Sequence, residues 1–242
     1  VLYLDYSFKP LLDSSGKVYG IVGMAVDSTE QVVNRQKLQE TEQRQAFLLR
    51  LSDTLRPLAK AETIQTEAAR ILGEYFKVSR VGYGDVDAEE QRFFTTEHNW
   101  TDGSVPAHHG THDLAAFGPA IYSALRSGAN LVVNDMTVDP RTAAPEMQAA
   151  FNALNFRSVV TVSLHKENRF VAALYVHDRN PREWTRQQVQ LIEEVAERTW
   201  AAVQRARAEE ALRRSEETFR TLFNNIDEGF CLIDLLYDEA GN

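Results

Sequence analysis

The spacing of apolar positions along this 242-residue chain changes period from one stretch to the next. At the start, Leu2, Leu4, Tyr6 and Phe8 alternate with other residues at strand period. "DSSGK" supplies a turn and "VYGIVGMAV" a return strand, so residues 1 to 30 read as a β-hairpin. Two strands alone are marginal in water, and this hairpin therefore needs a further sheet or support from the neighbouring helix. From about 29 to 58 the chain is polar and helical, with Asp27 or Ser28 able to cap its start and Arg56-Pro57 ending it. Leu38, Leu48, Leu51 and Leu55 fall near helical spacing. The first half is too polar to pack inside a domain. It reads either as a linker helix that pairs across a dimer or as a solvated surface helix.

Residues 61 to 184 carry the densest apolar pattern. "AETIQTEAARILGEYFK" is an amphipathic helix with Ile64, Ala68, Ile71, Leu72 and Tyr75 on one side. "VSRVGYGDVD" and "RFFTTEHNW" read as two strands joined by the acidic turn "DAEEQ". After a histidine-bearing loop, "GPAIYSALRSG" is a short helix with Pro119 in its first turn and Gly128 past its end. "NLVVND" is a short strand and "PEMQAAFNALN" another short helix. "RSVVTVSLHKENRFVAALYVHDRN" gives two strands around the turn "KENR". The order is that of an α+β fold, an antiparallel sheet with helices on one face and irregular segments on the other.

A long helix comes next, from about 185 past 219. Thr185 and Gln188 form a capping-box pattern. Val189, Ile192, Ala196, Thr199, Val203 and Ala206 then repeat at spacings of three and four. The seam fades through "RAEEALRR" and restarts at Leu212, Phe219, Leu222 and Ile226, where a change of register is expected. "EGFCLIDLLYDEAGN" begins a new strand and ends in a turn. With a start inside a strand and an end after a turn, the sequence reads as a piece of a longer protein.

Composition narrows the function classes. At 43% apolar and 25% charged residues, the chain can build an ordinary globular core. A formal net charge of −9 repels a phosphate backbone, so nucleic acid is not an expected partner. No run approaches the roughly 20 apolar residues of a membrane span, and no signal peptide marks the start. A cytoplasmic location is expected. Cys231 is the single cysteine, which excludes an internal disulfide and a multi-cysteine zinc site.

Several of these stretches resemble known families. "LLDSSGKVYGIVGMAVDSTE" is similar to the closing hairpin of a PAS domain. "EEALRRSEETFRTLFNNIDEGFCLIDLLYDEAGN" resembles the start of another, through Ser215, Glu216, Phe219 and Arg220. Between them the chain resembles a GAF domain in "LVVNDMTVDPR", "RSVVTVSL…NRFVAALYVHDRNPREWT" and "QVQLIEEVAERTWAAVQRARAE". The resemblance implies a PAS hairpin at 1–30, a linker helix at 31–60, a GAF domain at 61–205, and a linker helix with the start of a second PAS domain at 206–242. That arrangement is common in bacterial sensor histidine kinases. It implies a sensory module, dimeric through residues 31–58 and 185–226, with any catalytic core beyond this chain. Many GAF domains hold a small molecule between the sheet and the loops over it, and which molecule is not implied. Covalent bilin is not expected, since no cysteine precedes residue 231 and the phytochrome-like Asp-Ile-Pro triplet is replaced by Asp135-Met136-Thr137. The GAF-type methionine sulfoxide reductases need redox cysteines, which residues 61–205 lack. A ligand-free dimerisation spacer is the alternative.

"PAHHGTHDLAAFGP" holds His108, His109 and His112. Zinc sites usually need ligands from a second element, adjacent histidines diverge, and Gly110 argues against a helical turn that would join His109 to His112. A metal-dependent enzyme is thus the remotest reading, and no metal ligand is assigned. His112 and Phe117 are expected at the rim of a ligand pocket, with His108 and His109 as exposed loop residues. Other pocket candidates by position are Tyr83, Phe94, Trp100, Asp135, Phe156, Arg157, Ser158, Tyr175 and His177. For the aromatic residues and His177, core packing is the plainer role. Asp135 can equally cap a turn. Arg157 can hold an anionic ligand group or form a surface ion pair.

Overall fold

The computed structural model describes residues 1–142, 147, 148, 151 and 154–224. The chain divides into two compact units, Val1–Asp53 and a second that begins at Thr54. In the first, β1 (Leu4–Leu12) and β2 (Val18–Asp27) form the antiparallel hairpin that the alternation predicts, with a bulge between Leu11 and Leu12. The Asp13 carboxylate accepts from the backbone of Ser15 and Lys17 and shapes the turn. Tyr6, Phe8, Ile21 and Met24 are all exposed, on both faces of the hairpin, among the described residues. The helix α1 (Thr29–Leu55) comes after it, tied to the chain start by the Tyr3 N–H donating to the Thr29 hydroxyl.

The second unit is built on one antiparallel sheet. Its strands are β3 (Arg80–Val86), β4 (Phe93–Thr96), β5 (Asn99–Thr101), β6 (Gly110–Asp113), β7 (Leu131–Val133), β8 (Ser158–Lys166) and β9 (Arg169–Asp178). They lie in the order β6-β4-β3-β9-β8-β7, with β5 also pairing β3. β3 and β9 are buried along almost their whole length, as central strands covered on both faces must be. The edges, β6 and β7, are four and three residues long, which limits pairing with a foreign strand. β8 and β9 turn through Glu167 and Asn168, both at positive φ, the geometry whose twist suits a two-residue hairpin.

One sheet face is covered by α2 (Ala61–Phe76) and the first half of a long helix, which is α4 (Arg186–Asn224) in chain order. α2 buries Ile64, Ala68, Ile71 and Leu72, as expected, but Tyr75 stays exposed. Phe76 takes the buried place, edge-to-face with Trp184 at 6.0 Å. Phe76 stands four residues after Leu72 and therefore over the same stripe. At α4 the capping box forms: the Thr185 N–H donates to Gln188 Oε1 at 3.1 Å, and the Gln188 N–H to the Thr185 hydroxyl at 3.2 Å. Ile192, Ala196, Thr199, Val203 and Ala206 are buried. From Ala211 to Phe223 the helix is exposed, Leu212, Phe219, Leu222 and Phe223 included. Ile226 and the expected strand "EGFCLIDLL" lie outside the described residues, as does most of the helix expected over 145–155.

The opposite sheet face is roofed by a 3-10 turn (Leu114–Phe117) and α3 (Pro119–Arg126), which follow the edge strand β6. Sequence pattern places a loop where β6 runs. The strand exists because Phe93 to Thr96 pair with Asp113 to Gly110, with Phe94 opposite His112. Asp113 caps the 3-10 turn through the Ala115 N–H at 2.9 Å and pairs with Arg92 at 2.5 Å, pinning the roof to the β3–β4 loop.

Candidate functional site

Beneath this roof lies a cavity of about 70 Å³. Its floor is the sheet face that carries Val159, Thr161, Ala173, Tyr175 and His177, and its roof includes Leu114, Phe117, Ile121 and Leu125. β3 presents Gly82 and Gly84 to the same side. A Cβ at Gly82 would stand 2.2 Å from the Tyr175 hydroxyl, and one at Gly84 2.6 Å from the Phe94 ring. The missing side chains leave the space in which those two rings lie. Phe94 and Tyr175 meet edge-to-face at 6.0 Å.

Most of the lining is apolar, and its polar atoms gather on one wall. His108 and His112 stack with ring centroids 3.9 Å apart. Tyr175 and His177 are 4.6 Å apart, and His177 stacks on Phe156 at 3.9 Å. Behind His177 lies Arg80, only 1% exposed. Its Nη2 is 2.9 Å from His177 Nδ1 and donates to the Leu154 carbonyl at 2.8 Å, while Nη1 donates to the Pro106 carbonyl at 2.9 Å. Guanidinium has no acceptor, so Nδ1 of His177 accepts and the neutral ring carries its proton on Nε2. No carboxylate pairs with Arg80 among the described residues.

The environment keeps this wall uncharged apart from Arg80. Burial, then Arg80 and His108, hold His177 well below the ordinary histidine range. Burial, with His112 and Arg80 behind it, pushes His108 down to about 4. Burial also lowers His112, against a hydrogen bond with the His109 backbone that acts the other way. His112 Nε2 is buried without a hydrogen-bond partner, as is the Tyr175 hydroxyl. The Thr96 hydroxyl near Tyr175 donates instead to the Tyr83 carbonyl at 3.1 Å.

Of the residues expected at a pocket, Phe94, His112, Phe117, Phe156, Tyr175 and His177 line the cavity. The other five stand elsewhere. Tyr83 alternates with Gly82 and Gly84 and so faces α4, where Asp85, Arg207 and Glu197 act on its hydroxyl. Trp100 packs on α2, its ring filling the place of a Gly73 side chain. Ser158 alternates with Val159 and lies on the helical side, fully buried. Asp135 and Arg157 pair with each other at 2.6 Å on the surface, and Asp135 caps the next turn through the Thr137 N–H at 3.0 Å.

Two residues of the wall are not among those the sequence pattern points to. His108, by its sequence an exposed loop residue, folds back onto His112 because Asn99 bridges its backbone: Asn99 Nδ2 donates to the His108 carbonyl and Oδ1 accepts from the His108 N–H at 3.2 Å. Arg80 does carry a signal in sequence, a lone charge inside the apolar run "VSRVGYG", which burial on both faces obliges to find partners. His109 stays exposed, its Nδ1 2.8 Å from the Glu97 carbonyl. The three loop histidines therefore do not converge on a point. Among the described residues, no group of three His, Cys, Asp or Glu side chains is placed to hold a metal ion. Nor is any described helix long and apolar enough to cross a membrane.

The model of the GAF domain family matches residues 60–203. Curated proteins give no match. Among solved structures, the free methionine-R-sulfoxide reductase of Neisseria meningitidis is similar at 15% identity and a TM-score of 0.54, over 69% of this chain and 91% of that one. The phycocyanobilin-bound GAF domain of a cyanobacterial phytochrome is similar at 12% identity and a TM-score of 0.57, over 69% and 96%. The chromophore-binding domain of a bacteriophytochrome from R. palustris is similar at 17% identity and a TM-score of 0.56, over 71% and 62%. At these identities the likeness is one of fold.

Proposed function

Since the chain belongs to the GAF domain family, we propose that it is the sensory part of a multidomain signalling protein and holds a small ligand between the sheet and the roof of the 3-10 turn and α3. The observation that carries this reading is the cavity itself, largely apolar with its polar groups gathered on one wall, the usual make-up of a small-molecule site. In this reading the chain regulates and does not catalyse. Its parent is a bacterial sensor histidine kinase of a two-component system, with the catalytic core in another part of that protein, in the cytoplasm. The exposed apolar residues of the β1–β2 hairpin and the Ser215 to Arg220 pattern support flanking PAS domains. The exposed apolar positions of α4 beyond Arg207 support a homodimer through residues 31–58 and 185–226.

The bilin-bound and methionine sulfoxide-reducing neighbours suggest two ligands that fit this chain poorly. Residues 60–203 contain no cysteine for a thioether bond or a redox cycle. The cavity of about 70 Å³ is also small beside the roughly 300–1,000 Å³ of ligand pockets. That same volume favours a second reading, a spacer that binds nothing.

A thermal-shift screen of small metabolites separates the two. The sensory reading expects at least one chemical class to raise the melting temperature by several degrees, and Ala173→Leu, which fills the floor, to abolish the shift. No shift with any class, and unchanged signalling by Ala173→Leu in the full-length protein, would establish the spacer.

A further inference from the structure

We propose that the ligand is an amphiphilic carboxylic acid, its apolar body under Phe94, Phe117 and Leu125 and its carboxylate against the wall of His108, His112 and His177 in front of Arg80. The proposal rests on the ligand-binding reading and adds the ligand's charge and shape.

The first support is the charge at Arg80. A guanidinium at 1% exposure, held by two carbonyls and an imidazole, has no anion to offset it among the described residues. Burying a cation without a counter-charge is costly, and the field it leaves falls on the imidazole between it and the cavity. A cationic ligand is repelled there. A neutral one leaves the charge uncompensated, and an anion compensates it.

The second support is the distribution of polar atoms. Tyr175 is 4% exposed, and its hydroxyl lacks a hydrogen-bond partner; His112 Nε2 lacks one as well. Both belong to the wall that His177 shares, and His177 presents the tautomer with a donor Nε2–H. A carboxylate can accept from a tyrosine hydroxyl and an imidazole N–H together. The remaining lining is leucine, isoleucine, valine, alanine and phenylalanine, with Thr161 the exception. A dianionic phosphate would need more donors than this wall has. One anionic head on an apolar body matches it.

Binding should also take up a proton. His108 is held neutral by burial and then by His112 and Arg80, and His112 is lowered by burial and then by Arg80. The charged and titratable groups facing the pair are Arg80 on β3, Tyr175 and His177 on β9, His109 in the same loop and Glu97 after β4. A carboxylate placed against the pair favours its charged form.

The test pairs three acids with their alcohols: octanoate and octan-1-ol, 3-phenylpropionate and 3-phenylpropan-1-ol, 2-naphthoate and 2-naphthalenemethanol. Binding to the whole chain is followed by heteronuclear NMR and by calorimetry in two buffers at pH 6 and pH 8. The proposal expects at least one acid to bind roughly tenfold or more tighter than its alcohol, with proton uptake and a smaller preference at pH 8. Arg80→Met should remove the preference and Arg80→Lys retain part of it. If Arg80→Met does not fold, His108→Phe should abolish the proton uptake. Alcohols that bind as tightly as their acids, with shifts at Phe94 and Tyr175, overturn the proposal and leave the ligand-binding reading standing. If no probe of either kind perturbs the cavity, the proposal falls, and the metabolite screen decides the ligand-binding reading.

Discussion

Arg80 and His177 stand directly opposite each other on β3 and β9, and Nη2 of the one lies 2.9 Å from Nδ1 of the other. The pair occupies the cavity side of the two most buried strands. On the other side of β3, Asp85 pairs with Arg207 of α4, where that helix leaves the sheet. A single strand therefore touches both the charged end of the cavity and the start of the exposed helix. A ligand that moved Arg80 would act on a strand already fastened to α4, a physical route for a population shift between two packings.

The glycines of β3 are required by its neighbours. Gly82→Ala would set a methyl 2.2 Å from the Tyr175 hydroxyl, closer than carbon and oxygen approach. The expected cost is about 1–3 kcal/mol of overpacking, read as a lower urea midpoint with unchanged slope.

Tyr83 and Tyr175 are a matched pair on opposite faces of the sheet, both with hydroxyls that lack partners. Tyr83→Phe removes a buried hydroxyl from the helical face. It should be neutral or stabilising by up to about 1 kcal/mol and leave ligand binding unchanged. Tyr175→Phe should weaken binding of any ligand that bonds the polar wall. Parallel melting and titration curves of the two variants check both halves.

Acid should destabilise the domain before any carboxylate titrates. His108 and His177 are neutral when folded, with His108 at about 4 against an ordinary value of 6.5. Once unfolded, both take up protons as the pH falls through about 6.5. The unfolded state then binds more protons, so stability is complete above pH 6.5 and is lost progressively toward pH 4. Asp113, kept low by its bond with Arg92, adds a further loss as the pH falls through the ordinary carboxylate range, where the unfolded chain protonates it and the folded one does not. Urea titrations at pH 7.5, 6 and 5 should show a steady fall, and His108→Phe should flatten it.

The exposed part of α4 should govern association. Leu212→Glu with Phe219→Glu places charges on the apolar positions of its exposed turns and should convert a dimer to monomers in light scattering. The melting temperature of the sheet unit should stay within about 2 °C, because surface changes away from a core are worth little. Deleting four residues within 207–214 in the full-length protein should change signalling output without unfolding that unit.

How far the sequence could be read depends on the range of the forces involved. The β8–β9 hairpin and the Thr185–Gln188 box are local, and their residues announce them. β6 is not local: "GTHD" has no apolar alternation and is a strand only because β4 lies beside it. The facing of buried strand residues is equally silent. β3 and β9 are buried on both sides, so nothing in the pattern separates Tyr83, which faces α4, from Tyr175, which faces the cavity. His108 could not be placed without the Asn99 bridge that folds its loop inward.

Native mass spectrometry of the protein isolated gently from its own cells tests the sensory cavity most directly. The account predicts a stoichiometric extra mass that dissociates on unfolding, gives an acid on fragmentation and is absent from Ala173→Leu. Polypeptide mass alone, unchanged on incubation with the acids and metabolites tested, would contradict it.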